Sequence, residues 1–291
     1  MEGGRPPAWP GSRAPGGVCM RSEDSPTVWP ARADGTLIAV DRLHKTYVSR
    51  EGTEVEALAD VGFHIASGEF VSLVGPSGCG KSTLLRILGG LIPPTSGSVL
   101  FRGEPVVHHK KDIGIVFQNA VLLPWRTVLQ NIMLPVIVRH LDRAVHQRKA
   151  MDLLAMTGLD GFVHKYPNEL SGGMQQRVSI ARALVYDPSI LLMDEPFGAL
   201  DAMTREHMNV ELLRIWQESR KTVLFITHSI PEAVFLSDRV LAMSARPGRI
   251  VREVRIDLPR PRELDVMVTK EFGDHLREIR SFFEVRGRFG D

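Results

Sequence analysis

The stretch FVSLVGPSGCGKSTLLRIL, Phe70 to Leu88, restricts the fold more than any other part of the chain. Phe70 to Val74 read as a buried strand, and Leu84, Leu85 and Leu88 recur at helical spacing. Between them Gly75, Gly80, Lys81 and Ser82 match G-x-x-x-x-G-K-[ST], in the strand–turn–helix setting that gives the pattern its meaning. Glycines let backbone N–H groups turn inward without a Cβ clash. Amides gathered at a helix N-terminus form a nest for a dense anion such as a triphosphate. Lys81 then supplies a point charge to the β- and γ-phosphates, and the Ser82 hydroxyl is placed to ligate Mg²⁺. The competing reading is a glycine-rich turn with a chance Lys–Ser pair, and the flanking elements argue against it.

A chain of 291 residues has room for one large or two small domains. Its net charge of +2 implies no polyanionic partner such as a nucleic acid. Cys19 and Cys79 are its only cysteines, and Cys79 lies inside the glycine loop, so a disulfide framework is not expected and a reducing compartment fits. No run approaches the roughly 18 apolar residues that cross a bilayer, and the N-terminus lacks a signal-peptide apolar core. A soluble, cytosolic chain is expected, serving any membrane from outside the lipid. Residues 1–35 contain twelve Gly or Pro and are expected to be a disordered arm. Met20 is an alternative start.

From Thr36 the pattern turns β. Leu37–Val40 and Val55–Ile65 are expected as short antiparallel strands, with Tyr47 between them. On local sequence Tyr47 reads first as a loop tyrosine, and second as an aromatic plate for a purine ring. Strands follow near Ser96–Gly103 and Ile113–Phe117. Helices are expected near Val128–Val138, Asp142–Thr157 and Ser171–Tyr186, a helical insertion in an α/β domain. The last opens with LSGGMQQR, Leu170–Arg177. Ser171 is a good N-cap, and Gly172 and Gly173 leave amides unshielded, a second anion-binding helix start about ninety residues from the first. Ile190–Met193 reads as a strand buried on both faces. It ends in Asp194 and Glu195, at the edge where open α/β sheets bind ligands. Asp194 can hold Mg²⁺ and Glu195 can take a proton from attacking water. A helix over Thr204–Ser219 and a strand over Thr222–Ile226 lead to His228, whose position leaves structural and catalytic readings open. Val240–Met243 and Arg249–Ile256 add strands. Val268, Phe272, Ile279 and Phe283 form an apolar stripe on a terminal helix.

Together GPSGCGKST (75–83), Gln118, LSGGMQQR (170–177), ILLMDEP (190–196), ALD (199–201) and His228 resemble the ATP-binding subunit of an ABC transporter over about residues 36–260. The one departure is Met174, where the commonest form of the signature has Gln. The resemblance implies a P-loop α/β core with an antiparallel β subdomain, a helical subdomain at about 118–186 and a helical extension over 261–291. It implies that Gly75, Pro76, Ser77, Gly78, Cys79, Gly80, Lys81, Ser82 and Thr83 cradle ATP, with Tyr47 on the adenine. Ser82, Gln118 and Asp194 would surround Mg²⁺, Glu195 would polarise water, and His228 would hold the γ-phosphate. Ser171, Gly172 and Gly173 of a second copy would close the site head to tail.

The stretch NAVLLPWRTVLQNI after Gln118 carries Leu122, Leu123 and Trp125, read either as local packing or as a cleft for a short helix of a membrane partner. LLPWRTVLQNI, MDEPFGALDAMTRE and ITHSIPEAVFLSDRVLAMSARPGRI look like importers for nitrate, sulfonate, taurine and related solutes. That resemblance implies permease subunits, a periplasmic or lipoprotein solute-binding protein and a peripheral place on the cytoplasmic face of the membrane. The rival is a soluble ABC ATPase of DNA repair or translation, but the long coiled-coil insertion or paired cassettes of those families are absent from the sequence.

Overall fold

The structure, a computed structural model, describes residues 35–198 and 200–284. Apart from Gly35, the N-terminal arm expected over residues 1–35, with Cys19 and Met20, lies outside the described residues.

β1 (Thr36–Val48) pairs antiparallel with β2 (Glu54–Ala66), and both are longer than the sequence pattern suggests. Shifts of register around Arg42, itself at φ 42°, interrupt the alternation that marks a strand, which hides half of β1 from a periodicity reading. Tyr47 therefore lies within β1 and not in a loop between strands, which corrects the first reading. β3 (Phe70–Val74) is buried throughout and leads through the glycine loop into α1 (Lys81–Leu88). β4 (Ser96–Phe101), β5 (Glu104–Pro105) and β6 (Ile113–Val116) follow.

The helical insertion opens with α2 (Val128–Ile132), whose Thr127 and Gln130 form a capping box, and α3 (Leu134–Val138). The sequence pattern runs straight through this pair. The chain breaks at Met133 because Pro135 has no N–H to give the Asn131 carbonyl one turn back. α4 (Arg143–Met156) and α5 (Gly172–Leu184) complete the insertion. β7 (Ile190–Asp194), α6 (Ala202–Ser219), β8 (Thr222–Thr227), α7 (Ile230–Leu236), β9 (Arg239–Met243) and β10 (Ile250–Arg255) return the chain to the main sheet, and α8 (Lys270–Glu284) ends the described part. Val268 lies outside α8, in a 3₁₀ turn, and is 88% exposed, so only Phe272, Ile279 and Phe283 of the expected stripe belong to the helix.

The strands form a four-stranded sheet, β2-β1-β4-β5, and a six-stranded sheet, β10-β9-β3-β8-β7-β6. In the larger sheet β6, β7, β8, β3 and β9 are parallel, and β10 adds antiparallel at one edge. Successive strand residues point to opposite faces, so Ile190 and Leu192 join a core with the smaller sheet and α1, while Leu191 and Met193 join a core with the helices. This is why β7 reads as unbroken apolar sequence from Ile190 to Met193.

The C-terminal segment is tied down by a buried cation. Arg262 is 4% exposed and donates to the carbonyls of Val234, Phe235 and Ser237 at the end of α7, and to those of Ile256 and Leu258. Carbonyls at a helix C-terminus carry partial negative charge and have no helical partner of their own. Burial, with Arg260 nearby, pushes the guanidinium down to about 10.

Candidate functional site

Three strands of the large sheet end side by side. Val74 of β3 lies opposite Thr227 of β8, and Asp194 of β7 lies opposite Ile226. The glycine loop, Asp194–Glu195 and Thr227–His228 thus converge on one edge, although the loop lies over a hundred residues before the other two in sequence.

The loop can only be built with glycine at Gly80. Its φ is 106°, and a Cβ there would stand 2.8 Å from the Ala57 carbonyl oxygen and 2.8 Å from Leu58 Cδ2. Cys79 turns its side chain into the core beneath, and burial pushes its thiol up, so it offers the loop only backbone. Lys81 is folded back on the loop. Its ammonium donates to the carbonyls of Gly75 at 2.9 Å and Pro76 at 3.1 Å, and lies 3.7 Å from Glu195 Oε1. The Ser82 hydroxyl donates to Asp194 Oδ1 at 3.0 Å. Burial pushes the Asp194 carboxyl up, and the Ser82 hydrogen bond works the other way.

Glu195 sits at φ 44°, a left-handed conformation uncommon outside glycine, pinned by its N–H donating to the Ile226 carbonyl at 2.9 Å. Its Oε2 is 3.0 Å from His228 Nδ1. Gln118 is exposed two residues past the end of β6, and its amide and the Glu195 carboxylate both lie near Gly198. A Cβ on Gly198 would be 3.5 Å from Gln118 Nε2 and 3.6 Å from Glu195 Oε2. Tyr47 is 40% exposed, with its hydroxyl 3.4 Å from Thr83 Oγ1 and the Lys45 ammonium 5.2 Å from its ring centre. With Ser77, Gly78, Gly80, Lys81 and Glu195, it lines a cavity of about 250 Å³.

Ser171, Gly172 and Gly173 do not line that cavity. Ser171 caps α5 by accepting from the Met174 N–H at 3.3 Å, with Ser171 and Gly172 exposed. Within one chain the second helix start remains separate from the first.

Several supporting residues carried no sequence signal. Glu232, 7% exposed on α7, accepts from the Thr227 hydroxyl next to His228, and its other oxygen lies 3.6 Å from Arg205 Nε. Burial pushes the Glu232 carboxyl up, and the Thr227 and Arg205 contacts oppose this. Arg205 also donates to the carbonyls of Phe197, Gly198 and Leu200, bracing the turn after Glu195. Arg246, in the β9–β10 turn, donates to the Gly78 carbonyl at 3.2 Å. Asn131, fully buried, bonds both amide ends to Leu123 and donates to the Arg126 carbonyl, which fixes the loop after Gln118.

Residues 58–198 match the family model described as ABC transporter. An ABC transporter ATP-binding protein of Methanocaldococcus jannaschii is 50% identical over 226 residues, covering 78% of this chain and 84% of that protein. The aliphatic sulfonates import ATP-binding protein SsuB of Bacillus cereus is 42% identical over 250 residues, 86% of this chain and 97% of that protein. The taurine import ATP-binding protein TauB of Rhizobium johnstonii is 47% identical over 224 residues, 77% and 86%. Among solved structures, a dimeric bacterial ABC transporter cassette, MJ0796, superposes with a TM-score of 0.67 at 37% identity, covering 77% of this chain and all of that one. A post-hydrolysis dimer of the same cassette with ADP and Pi gives 0.66 at 36%, with the same coverage. With the strand-end cluster of Lys81, Ser82, Asp194, Glu195 and His228, these likenesses establish that the chain belongs to the family of ABC transporter ATP-binding cassettes.

Proposed function

We propose that this cassette hydrolyses ATP to drive uptake of a small solute through separate permease subunits. The observation that carries the reading is the convergence of Lys81, Ser82, Asp194, Glu195 and His228 on one sheet edge beside the cavity under Tyr47. The importer class rests on relatives named for sulfonate and taurine import. Nitrate, sulfonate, taurine or a related solute is the proposed cargo class. It is selected by the permease and a solute-binding protein, and this chain would work peripherally at the cytoplasmic face. No helix among the described residues is long and apolar enough to cross a membrane.

In this reading the amides of Gly75, Ser77, Gly78, Cys79 and Gly80, with those of Lys81, Ser82 and Thr83, cradle the phosphates, Pro76 shapes the turn, and Tyr47 stacks on adenine. The Lys81 ammonium exchanges two carbonyl acceptors for phosphate oxygens, a stronger charge-assisted pairing. The Ser82 hydroxyl and the Asp194 carboxylate, already 3.0 Å apart, form a pair of hard oxygen donors that suits Mg²⁺, with Gln118 nearby. Mg²⁺ bound there supplies charge neutralisation at the β- and γ-oxygens. Glu195 accepts a proton from the attacking water, and His228 shares its hydrogen bond between Glu195 and the γ-phosphate. Ser171, Gly172 and Gly173 act in trans: this helix start, exposed at Ser171 and Gly172 and buried at Gly173, completes the site of a second copy, so that ATP holds two chains together and hydrolysis releases them.

A second cavity, of about 800 Å³, is lined by Pro124, Met151, Val163, His164 and Tyr166 on the helical side, with Trp125 70% exposed beside it in sequence. It is the proposed seat for a permease helix. Leu122 packs against the core and does not line it. The reading is tested by Lys81→Ala in the purified chain. ATP affinity should fall at least about tenfold, the loss of one charge-assisted contact; unchanged affinity refutes it. Co-purification with permease subunits from membranes tests the importer assignment.

A further inference from the structure

A third cavity is larger than the one under Tyr47. It measures about 850 Å³ and lies behind the phosphate loop, between His228, the β9–β10 turn and the end of α8. Its size is that of a site for a small organic molecule. Part of its lining is apolar, from Ile230, Val251, Phe282 and Phe283, with the Arg252 guanidinium 5.5 Å from the Phe282 ring centre. The lining also carries two guanidinium groups, Arg249 and Arg246, the latter shared with the cavity at Tyr47, and no carboxylate lines the cavity among the described residues. Arg246 spends one N–H on the Gly78 carbonyl. The exposed Arg249 side chain makes no hydrogen bond or ion pair among the described residues. Two cations in one cavity with apolar lining, without an acid to balance them, select against a cationic or neutral polar occupant. They also disfavour a symmetric contact with the same face of a second copy, which would set like charges opposite one another.

We infer that this cavity is a regulatory site for a small organic anion, a carboxylate or sulfonate carrying an aromatic or branched apolar body. The anionic group pairs with Arg249 and Arg246, and the body packs on Phe282 and Phe283. The site can sense and set the state of the phosphate loop because the two share parts. Gly75, Pro76, Ser77 and His228 also line the cavity. The β9–β10 turn that carries both arginines is joined to β2 through the Gly248 N–H to the Ala57 carbonyl, and through the Ala59 N–H to the Gly248 carbonyl. An occupant engaging Arg246 draws on the group that braces Gly78 and crowds His228, so turnover slows while it is bound.

The test uses the full chain and two probes of nearly equal shape, 8-anilinonaphthalene-1-sulfonate and the uncharged N-phenyl-1-naphthylamine, read by fluorescence. The sulfonate should bind one per chain and at least about tenfold tighter than the neutral probe, as one charge-assisted contact predicts. Arg249→Gln, at an exposed position that leaves basal activity unchanged, should remove that preference. Phe283→Ala should weaken both probes. The binding measurements stand without the ATPase reading. The functional arm rests on it: the sulfonate should slow ATP turnover of the unmodified chain and not of Arg249→Gln. Equal binding of the two probes overturns the inference. So does sulfonate binding that Arg249→Gln leaves unchanged and that ATP abolishes, which would assign the probe to the nucleotide cavity.

Discussion

Replacing Glu195 by Gln separates two things its carboxylate does. Its Oε2 faces His228 Nδ1 at 3.0 Å, and its Oε1 lies 3.7 Å from the Lys81 ammonium. Gln keeps the shape and one acceptor oxygen but loses the charge. In the proposed role of general base, Glu195 would be worth about 10²–10⁴ in rate, or roughly 3–5 kcal/mol of barrier, and turnover should fall by that factor. The effect on binding should have the opposite sign. At an effective dielectric constant of about 20, a charge pair at that separation attracts by roughly 4 kcal/mol before desolvation is counted. Glu195 holds Lys81 back by the net remainder. Hydration of a carboxylate that is 21% exposed offsets most of the attraction, leaving on the order of 1 kcal/mol. ATP should therefore bind Glu195→Gln as tightly as the unmodified chain, or up to about tenfold tighter. Phosphate release in a single-turnover experiment gives the rate, and a fluorescent ATP analogue gives the affinity. Turnover within threefold of the unmodified chain removes Glu195 as the base. Tenfold weaker ATP binding shows that the carboxylate does not restrain Lys81.

Gly80→Ala should cost about 1–3 kcal/mol of backbone strain, because φ 106° and the Ala57 carbonyl 2.8 Å from the new Cβ both oppose it. ATP affinity should fall at least about tenfold, checked by the same titration; an unchanged affinity means the loop has another conformation. Arg262→Met leaves five carbonyls without their donor. Its cost in urea unfolding should be about 2–4 kcal/mol, reduced from a larger gross value because burying the guanidinium is itself unfavourable. A change below about 0.5 kcal/mol refutes the anchoring role.

What was legible in the sequence was the chemistry confined to short contiguous segments. A glycine loop between strand and helix, a Ser-Gly-Gly helix start and two acids after an apolar strand are each recognisable as candidate sites within about fifteen residues. The parallel sheet was legible too, since burial on both faces leaves β3 and β7 apolar except for Ser72 and the terminal Asp194. Periodicity failed where geometry interrupts it: at the bulged register of β1, at Pro135 between α2 and α3, and at Val268 before α8.

The sequence by itself determined which groups are candidates to hold a nucleotide and where each lies along the chain. Only the tertiary structure decided what stands against what. It set His228 on Glu195, put Arg246 on a loop carbonyl 168 positions away, buried Glu232 between Thr227 and Arg205, and opened a basic cavity behind the phosphate loop. The physical reason is that a hydrogen bond or an ion pair depends on separation in space. Sheet order, which joins strands distant in sequence, fixes that separation and leaves no local pattern to read.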